Sequence, residues 1–421
     1  MVRRREFGRA FTLLVAAAGL GACVADPGAA GYGRAGPAGI GMTAPAVPLT
    51  GPGSRVAILL PLTGPNAEVG QAMLRAAQLS LDQPGAPQLD ARDTAGTPAG
   101  AAEAAKQALA GGAGLILGPL TAGETAAAAP VAKAGGIPVL AFTSDAAQAQ
   151  PGVWALGITP AQQVRRLVLA VQAEGKTRIA AVLPKNAFGD AMSGGLTAAA
   201  ATAGLSEPQV LHYSGSFASL NAALKDVSGY STRRGAVEQQ QEARARGDAD
   251  SRREAAELGR QAAPPPPIDA LLLGAAGESL GQAAPLLVFY DIGPSQVRIL
   301  GPALWAREAS RLSAIAGAWY AAPDPAQRAA FEQAYSAKYN APPRELTSLA
   351  YDAAGVARVA ASSGGFTPGA LARPEGFAGA DGLLALQPDG QVRRGLAIFE
   401  IDHGGSHIVQ PAPQSMAAPG V

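Results

Sequence analysis

From Arg55 onward, short apolar runs alternate with longer stretches in which apolar residues recur every three or four positions. The run Val56-Ala57-Ile58-Leu59-Leu60 is apolar at every position, as a strand buried on both faces must be. A helical pattern follows from about Glu68 to Leu81, with Val69, Met73, Ala76, Ala77 and Ser80 on one face. Further strands are predicted at Gln88–Asp93, Leu115–Leu117, Val139–Phe142, Ile179–Leu183, Gln209–Tyr213, Ala270–Leu273 and Arg298–Leu300, nearly all separated by helical stretches. Such alternation requires right-handed crossovers and a mostly parallel sheet covered on both faces, an α/β fold. The patterned stretch is too long for one core, so two lobes are expected, with a first crossing near Ala155–Thr159.

Three segments depart from this texture. Leu383–Leu386 and Leu396–Ile401 flank Gln387-Pro388-Asp389-Gly390, a hairpin signature. Between about Tyr230 and Ala263, Arg, Glu, Gln and Ala dominate with few large apolar residues, which reads as a solvated helix or a disordered insertion available for partner docking. Residues 24–54 are almost entirely Gly, Ala, Pro, Val and Thr and read as a flexible tether. Within that tether Gly31-Tyr32-Gly33-Arg34-Ala35-Gly36 matches a dinucleotide-binding spacing, but no strand precedes it and no helix pattern follows, so the phosphate cradle is missing.

The amino terminus adds an address. Arg3, Arg4, Arg5 and Arg9 precede an apolar run from Phe11 to Leu20, an export signal shorter than the roughly 20 apolar residues of a membrane span. Leu20-Gly21-Ala22-Cys23 resembles the bacterial lipobox, so residues 1–22 are expected to be removed and Cys23 to carry the lipid. Val24 after the anchor points to the outer membrane rather than the inner. Cys23 is the single cysteine, which excludes a disulfide within the chain and leaves stability to the core.

Removing the leader's arginines and Glu6 from a chain of net charge +1 leaves the remainder slightly acidic, with Lys and Arg scattered. That pattern argues against nucleic acid as a partner. It also offers little for catalysis. His212, His403 and His407 are the only histidines, and Gly404-Gly405 between the last two favours a turn over a metal-binding helix face. Ser193 sits inside a predicted helix rather than at a strand-to-helix elbow. Asp90 and Asp93 read as paired carboxylates on one strand face, part of a polar edge. No enzyme activity, cofactor or metal is expected.

Several stretches together resemble the leucine/isoleucine/valine-type periplasmic binding proteins and, within them, lipoproteins described as penicillin-binding protein activators. They are Val56–Pro65, Gly114–Thr121, Gly136–Ser144, Phe188-Gly189-Asp190 and Leu349–Ala353, in the family's order. The resemblance implies a type I periplasmic binding fold over 55–410, with a three-crossing hinge. Its lobes would be about 55–156 with 318–379, and 157–317 with 380–410; the charged insertion spans 230–263, and 411–421 form a disordered tail. It places Thr63, Asn66, Thr121, Thr143, Ser144, Phe188, Glu278 and Tyr351 at a ligand cleft. Hydroxyls after strands can hold a carboxylate there, although Thr121, Thr143 and Ser144 also suit helix caps. Phe188 stands where amino-acid binders carry Tyr, and Glu278 is the nearest partner for a ligand ammonium. The function implied is a lipid-anchored regulator of a peptidoglycan synthase, or else a receptor delivering an amino-acid-like solute to an ABC permease.

Overall fold

Strands buried on both faces carry the fold, and the run at Val56–Leu60 shows why. In the computed structural model, which describes residues 53–258 and 264–417, Val56, Ile58 and Leu60 enter one core while Ala57 and Leu59 enter another across the sheet. Alternation with an apolar side chain at every position is satisfied only between two helical layers. The expected leader, the Cys23 anchor and the tether as far as residue 52 lie outside the described residues.

The chain begins with β1 (Arg55–Leu60), α1 (Ala67–Ser80), β2 (Leu89–Asp93), α2 (Pro98–Ala110), β3 (Ala113–Leu117), α3 (Ala122–Ala134), β4 (Val139–Ala141) and β5 (Val153–Ala155). It then crosses to α4 (Pro160–Ala173), β6 (Ile179–Pro184), α5 (Ala187–Thr202), β7 (Gln209–Tyr213) and α6 (Phe217–Val227). The insertion supplies α7 (Tyr230–Arg233), α8 (Gly235–Arg246) and α9 (Ala249–Leu258), ahead of β8 (Ala270–Leu273), α10 (Glu278–Phe289), β9 (Arg298–Gly301) and β10 (Trp319–Ala322). A second crossing leads to α11 (Pro325–Tyr339), α12 (Thr347–Ser362), α13 (Pro368–Leu371), β11 (Phe377–Gly379), β12 (Gly382–Leu386) and β13 (Val392–Arg394). The third reaches β14 (Ala397–Ile401) and β15 (Ser406–Gln410).

One sheet has the order β2-β1-β3-β4-β5 and is wholly parallel. The other has the order β15-β14-β10-β9-β8-β6-β7, and its parallel members β7-β6-β8-β9-β10 repeat the same winding. Antiparallel β14 and β15 extend that second sheet. The molecule is therefore an α/β fold of two parallel-sheet lobes, and each sheet has a switch point where a ligand crevice is expected beyond the strand ends.

Lobe boundaries differ from the sequence expectation in two places. The resemblance implies about 318–379 in the first lobe, but β10 hydrogen-bonds to β9 and β14, so the second crossing falls after Ala322. The resemblance implies about 380–410 in the second lobe, but Leu384, Leu386 and Val392 pack in the first lobe's core, so the third crossing falls after Arg394. The hairpin shifts accordingly: β12 pairs with β13, and the run expected as its second arm, β14, joins the other sheet. Residues 411–417, expected in a disordered tail, remain on the domain, with Ala412 and Met416 buried.

The charged segment from Tyr230 is helical where described. Helices α8 and α9 bury Ala243 and Ala255, and the Gln240 side chain donates to the Ala255 carbonyl at 2.9 Å. Arg246 pairs with Glu254 at 2.6 Å, and the Asp248 carboxylate accepts from the Ser251 N–H at 2.7 Å. Small residues inside and charge outside make a hairpin that needs little core. At its base Arg233 donates to the carbonyls of Ser228 and Tyr290, and Arg234 pairs with Asp291 at 3.2 Å.

Candidate ligand cleft between the lobes

A cavity of about 690 Å³ opens between the lobes, walled by strand-end loops from both sheets. From the first lobe, the turn after β3 contributes Leu120, and the turn after β4 contributes Phe142, Thr143 and Ser144. From the second, Phe188 enters from the first turn of α5, and Pro302 to Leu304 follow β9. The crossings pass through the floor, at Gly157, Ile158 and Pro323.

The backbone after β4 is fixed tightly against the hinge. The Gly157 N–H donates to the Thr143 carbonyl at 3.0 Å, and a Cβ on Gly157 would lie 2.6 Å from the Ser144 nitrogen. Only glycine allows that approach. The buried Thr143 hydroxyl accepts from the Asp145 N–H at 3.0 Å. Ser144 is exposed, and neither its N–H nor its hydroxyl has a hydrogen-bond partner among the described residues.

One wall carries a fixed ionic group. Arg328 on α11 donates through Nε to Asp381 at 2.8 Å and through Nη2 to the Ser348 hydroxyl at 2.9 Å, and Asp381 is only 3% exposed. At the mouth, Arg307 of the second lobe grips both carboxylate oxygens of Glu345 of the first, at 2.8 and 2.7 Å. Exposed Leu304 and Leu346 adjoin this pair, one from each lobe. Leu346 has φ +68, a left-handed conformation costly for a side chain of its size, and it occupies the cap position of α12 without a side-chain cap bond.

The hinge behind the cleft is polar and buried. Arg394 donates from Nη2 to the Leu156 carbonyl at 2.9 Å and pairs with Asp352 at 3.2 Å, while the Ala380 N–H donates to Asp352 at 2.6 Å. Burial pushes the Asp352 carboxyl up to about 6 against the pull of Arg394. Arg166 on α4 donates to the Leu396 carbonyl at 2.8 Å, and the Gln162 side chain donates to the Val392 carbonyl at 2.6 Å. Carbonyls at two crossings are thereby held by side chains from neighbouring elements.

The structure gathers three of the eight sequence-predicted residues in the lining: Thr143, Ser144 and Phe188. The other five lie outside it. The Thr63 hydroxyl donates to Asp93 at 2.6 Å, and Asp93 also accepts from the N–H groups of Leu62 and Ala95. Burial pushes the Asp93 carboxyl up, but these bonds, led by the Thr63 hydroxyl, hold it below its ordinary value. Asp90 faces away from Asp93 and pairs with Arg92 at 2.7 Å, because positions three apart on a strand occupy opposite faces; the shared face expected from sequence is incorrect. Thr121 forms a capping box with Glu124, whose buried carboxylate also accepts from Thr94. Asn66 stands at the start of α1 without a cap bond. Glu278 is exposed at the start of α10 and accepts from Gln282, and the Tyr351 ring packs on Phe331 with centroids 4.8 Å apart.

Sequence reasoning missed Arg307, Arg328, Ser348, Asp381, Leu304 and Leu346. The only local signal was Leu346, an apolar residue directly before a helix start. Ser193 falls within α5, as its helical context indicates, and Gly404-Gly405 form the bend before β15. No group of three or more His, Cys, Asp or Glu suited to a metal ion occurs among the described residues.

Comparison with known proteins agrees with this architecture. The model of the family described as periplasmic binding protein matches residues 54–247. No curated protein matches the sequence. Among solved structures, a Rhodospirillum rubrum protein assigned as a branched-chain amino acid ABC transporter superposes with TM-score 0.62 at 20% identity, covering 85% of this chain and 100% of its own. Full-length LpoA from Haemophilus influenzae superposes with TM-score 0.62 at 14% identity; the match covers 85% of this chain and 59% of LpoA. An ABC transporter substrate-binding protein from Desulfitobacterium hafniense, in complex with Leu, gives TM-score 0.54 at 13% identity over 84% of this chain and 99% of its own. At these identities the likeness establishes the type I periplasmic binding fold.

Proposed function

We propose that this chain is an exported binding protein of the type I periplasmic kind, held at the envelope by a lipid on Cys23, whose lobes close on a small solute without transforming it. The observation that carries this reading is the cleft: about 690 Å³, walled by both lobes at the carboxyl ends of parallel strands and floored by the crossings. That volume falls in the range of small-molecule sites, roughly 300–1,000 Å³. Leu bound by the Desulfitobacterium hafniense protein of similar fold supports a solute of comparable size. The deciding experiment is a thermal-shift screen of the mature chain against amino acids, carboxylic acids, sugars and muropeptides. A cognate solute at 100 times its dissociation constant adds about 2.7 kcal/mol of stability. No shift with any class sinks the reading. Labelling with radioactive palmitate that is absent from a Cys23→Ala variant tests the anchor separately.

A second reading, activation of a peptidoglycan synthase, is favoured by the α8–α9 hairpin. Its charged surface is largely exposed where described, and the fold it decorates is shared with LpoA. Pull-down from detergent-solubilised envelopes, with and without residues 230–263, tests it. Capture of a synthase that is unaffected by the deletion removes the hairpin from the argument, and no capture removes the reading.

A further inference from the structure

We infer that the cleft selects solutes that carry a carboxylate on an apolar body but no ammonium group, and so discriminates against α-amino acids; this rests on the solute-binding reading above. An ammonium taken out of water is costly unless a carboxylate receives it. Among the described residues, the only acidic one in the lining is Asp381, which is 3% exposed and already bound by Arg328. Glu278, the residue expected to meet an ammonium, lies outside the cleft altogether.

Arg307 and Arg328 approach from different lobes, but each is already paired, with Glu345 and Asp381, so neither brings a spare charge. The donors that are left over favour an anion. Beside them, the Ser144 N–H and hydroxyl have no hydrogen-bond partner among the described residues and are available to a carboxylate oxygen. The first turn of α12, which opens at Leu346 without a side-chain cap, adds positive potential of the same sign. Apart from Thr143, Gln163 and Ser348, the rest of the wall is apolar, with Phe142, Ile158, Phe188, Leu304 and Leu349 prominent. A branched or aromatic acid satisfies both sets of contacts.

Calorimetric titration of the mature chain with matched probes tests the inference: 4-methylpentanoate against L-leucine, and 3-phenylpropanoate against both L-phenylalanine and 3-phenylpropanamide. At least one acid is expected to bind about tenfold or more tightly than its amino acid and its amide, the size of one charge-assisted hydrogen bond. Ser144→Ala should weaken that acid several-fold while leaving the thermal midpoint of the free protein unchanged. An amino acid that binds as tightly as its acid overturns the inference, as does an amide equal to the acid. If no acid binds but a sugar or muropeptide does, the solute class is wrong and the binding reading stands; if nothing binds in either screen, both fall.

Discussion

Arg394 and Asp352 form an ion pair with no exposed side-chain surface, 3.2 Å between Nη1 and Oδ2, and Arg394 also reaches across to the Leu156 carbonyl at another crossing. Two passages of the chain between lobes are thereby tied to one guanidinium. Asp352 sits on α12 and takes the Ala380 N–H as well, so the pair joins helix, loop and hinge.

Asp352→Ala should destabilise the domain by about 3–5 kcal/mol, because it leaves the Arg394 charge buried without its partner. Denaturant unfolding checks this. Replacing both residues by apolar ones of similar volume should restore much of the loss, which separates an uncompensated charge from a mere gap. A loss below about 1 kcal/mol for the single variant would mean that water reaches the pair.

Arg307 and Glu345 behave differently, since both are largely exposed. Removing either should cost no more than about 1 kcal/mol of stability. The effect belongs to ligand release, because the pair links opposite lobes at the mouth. Stopped-flow displacement should show release about two- to fivefold faster in Glu345→Ala at low salt, with the difference vanishing at high salt.

Leu346→Gly should separate strain from recognition. Glycine accepts the left-handed conformation, which relieves a backbone cost on the order of 1 kcal/mol. It also removes an apolar side chain from the cleft rim. The thermal midpoint should stay level or rise while solute affinity falls; a fall in both would show that Leu346 contributes to packing.

Acid stability should carry the signature of Asp269. Hydrogen bonding from Arg178 leads the causes that hold its carboxyl at about 2, below the ordinary 3.8. A depressed native value means the unfolded chain binds protons first, so this contribution is complete above about pH 4 and fades as pH falls towards 2. Asp269→Asn should therefore be less stable than the parent at neutral pH, and the two should converge in that acid window. A constant difference down to pH 2 would assign the effect to packing.

The parallel-sheet architecture was legible because its signal is local. Val56–Leu60 and Ala270–Leu273 are apolar at every position, and that texture has few other solutions. Lobe membership was not, because it depends on distant partners: Trp319–Ala322 would suit either sheet, and its pairing with β14, far along the chain, decides. The cleft divides the same way. Thr143, Ser144 and Phe188 follow strands directly, where position along the sequence implies position in space. Arg328, Asp381 and Leu346 reach the site only through the second crossing, and nothing near them in sequence announces it. Thr63 lies outside the lining, its hydroxyl tying down its own loop through Asp93.

Three crossings mean that neither lobe is one continuous stretch of chain, and the α8–α9 hairpin lies in the middle of the excursion into the second lobe. A protease cutting at its Gly247 tip would yield two fragments that each contribute strands to the second sheet. Such a nicked molecule should migrate as one species on a native column and as two after boiling in detergent. The same interlocking makes that tip a tolerant place to splice in a reporter.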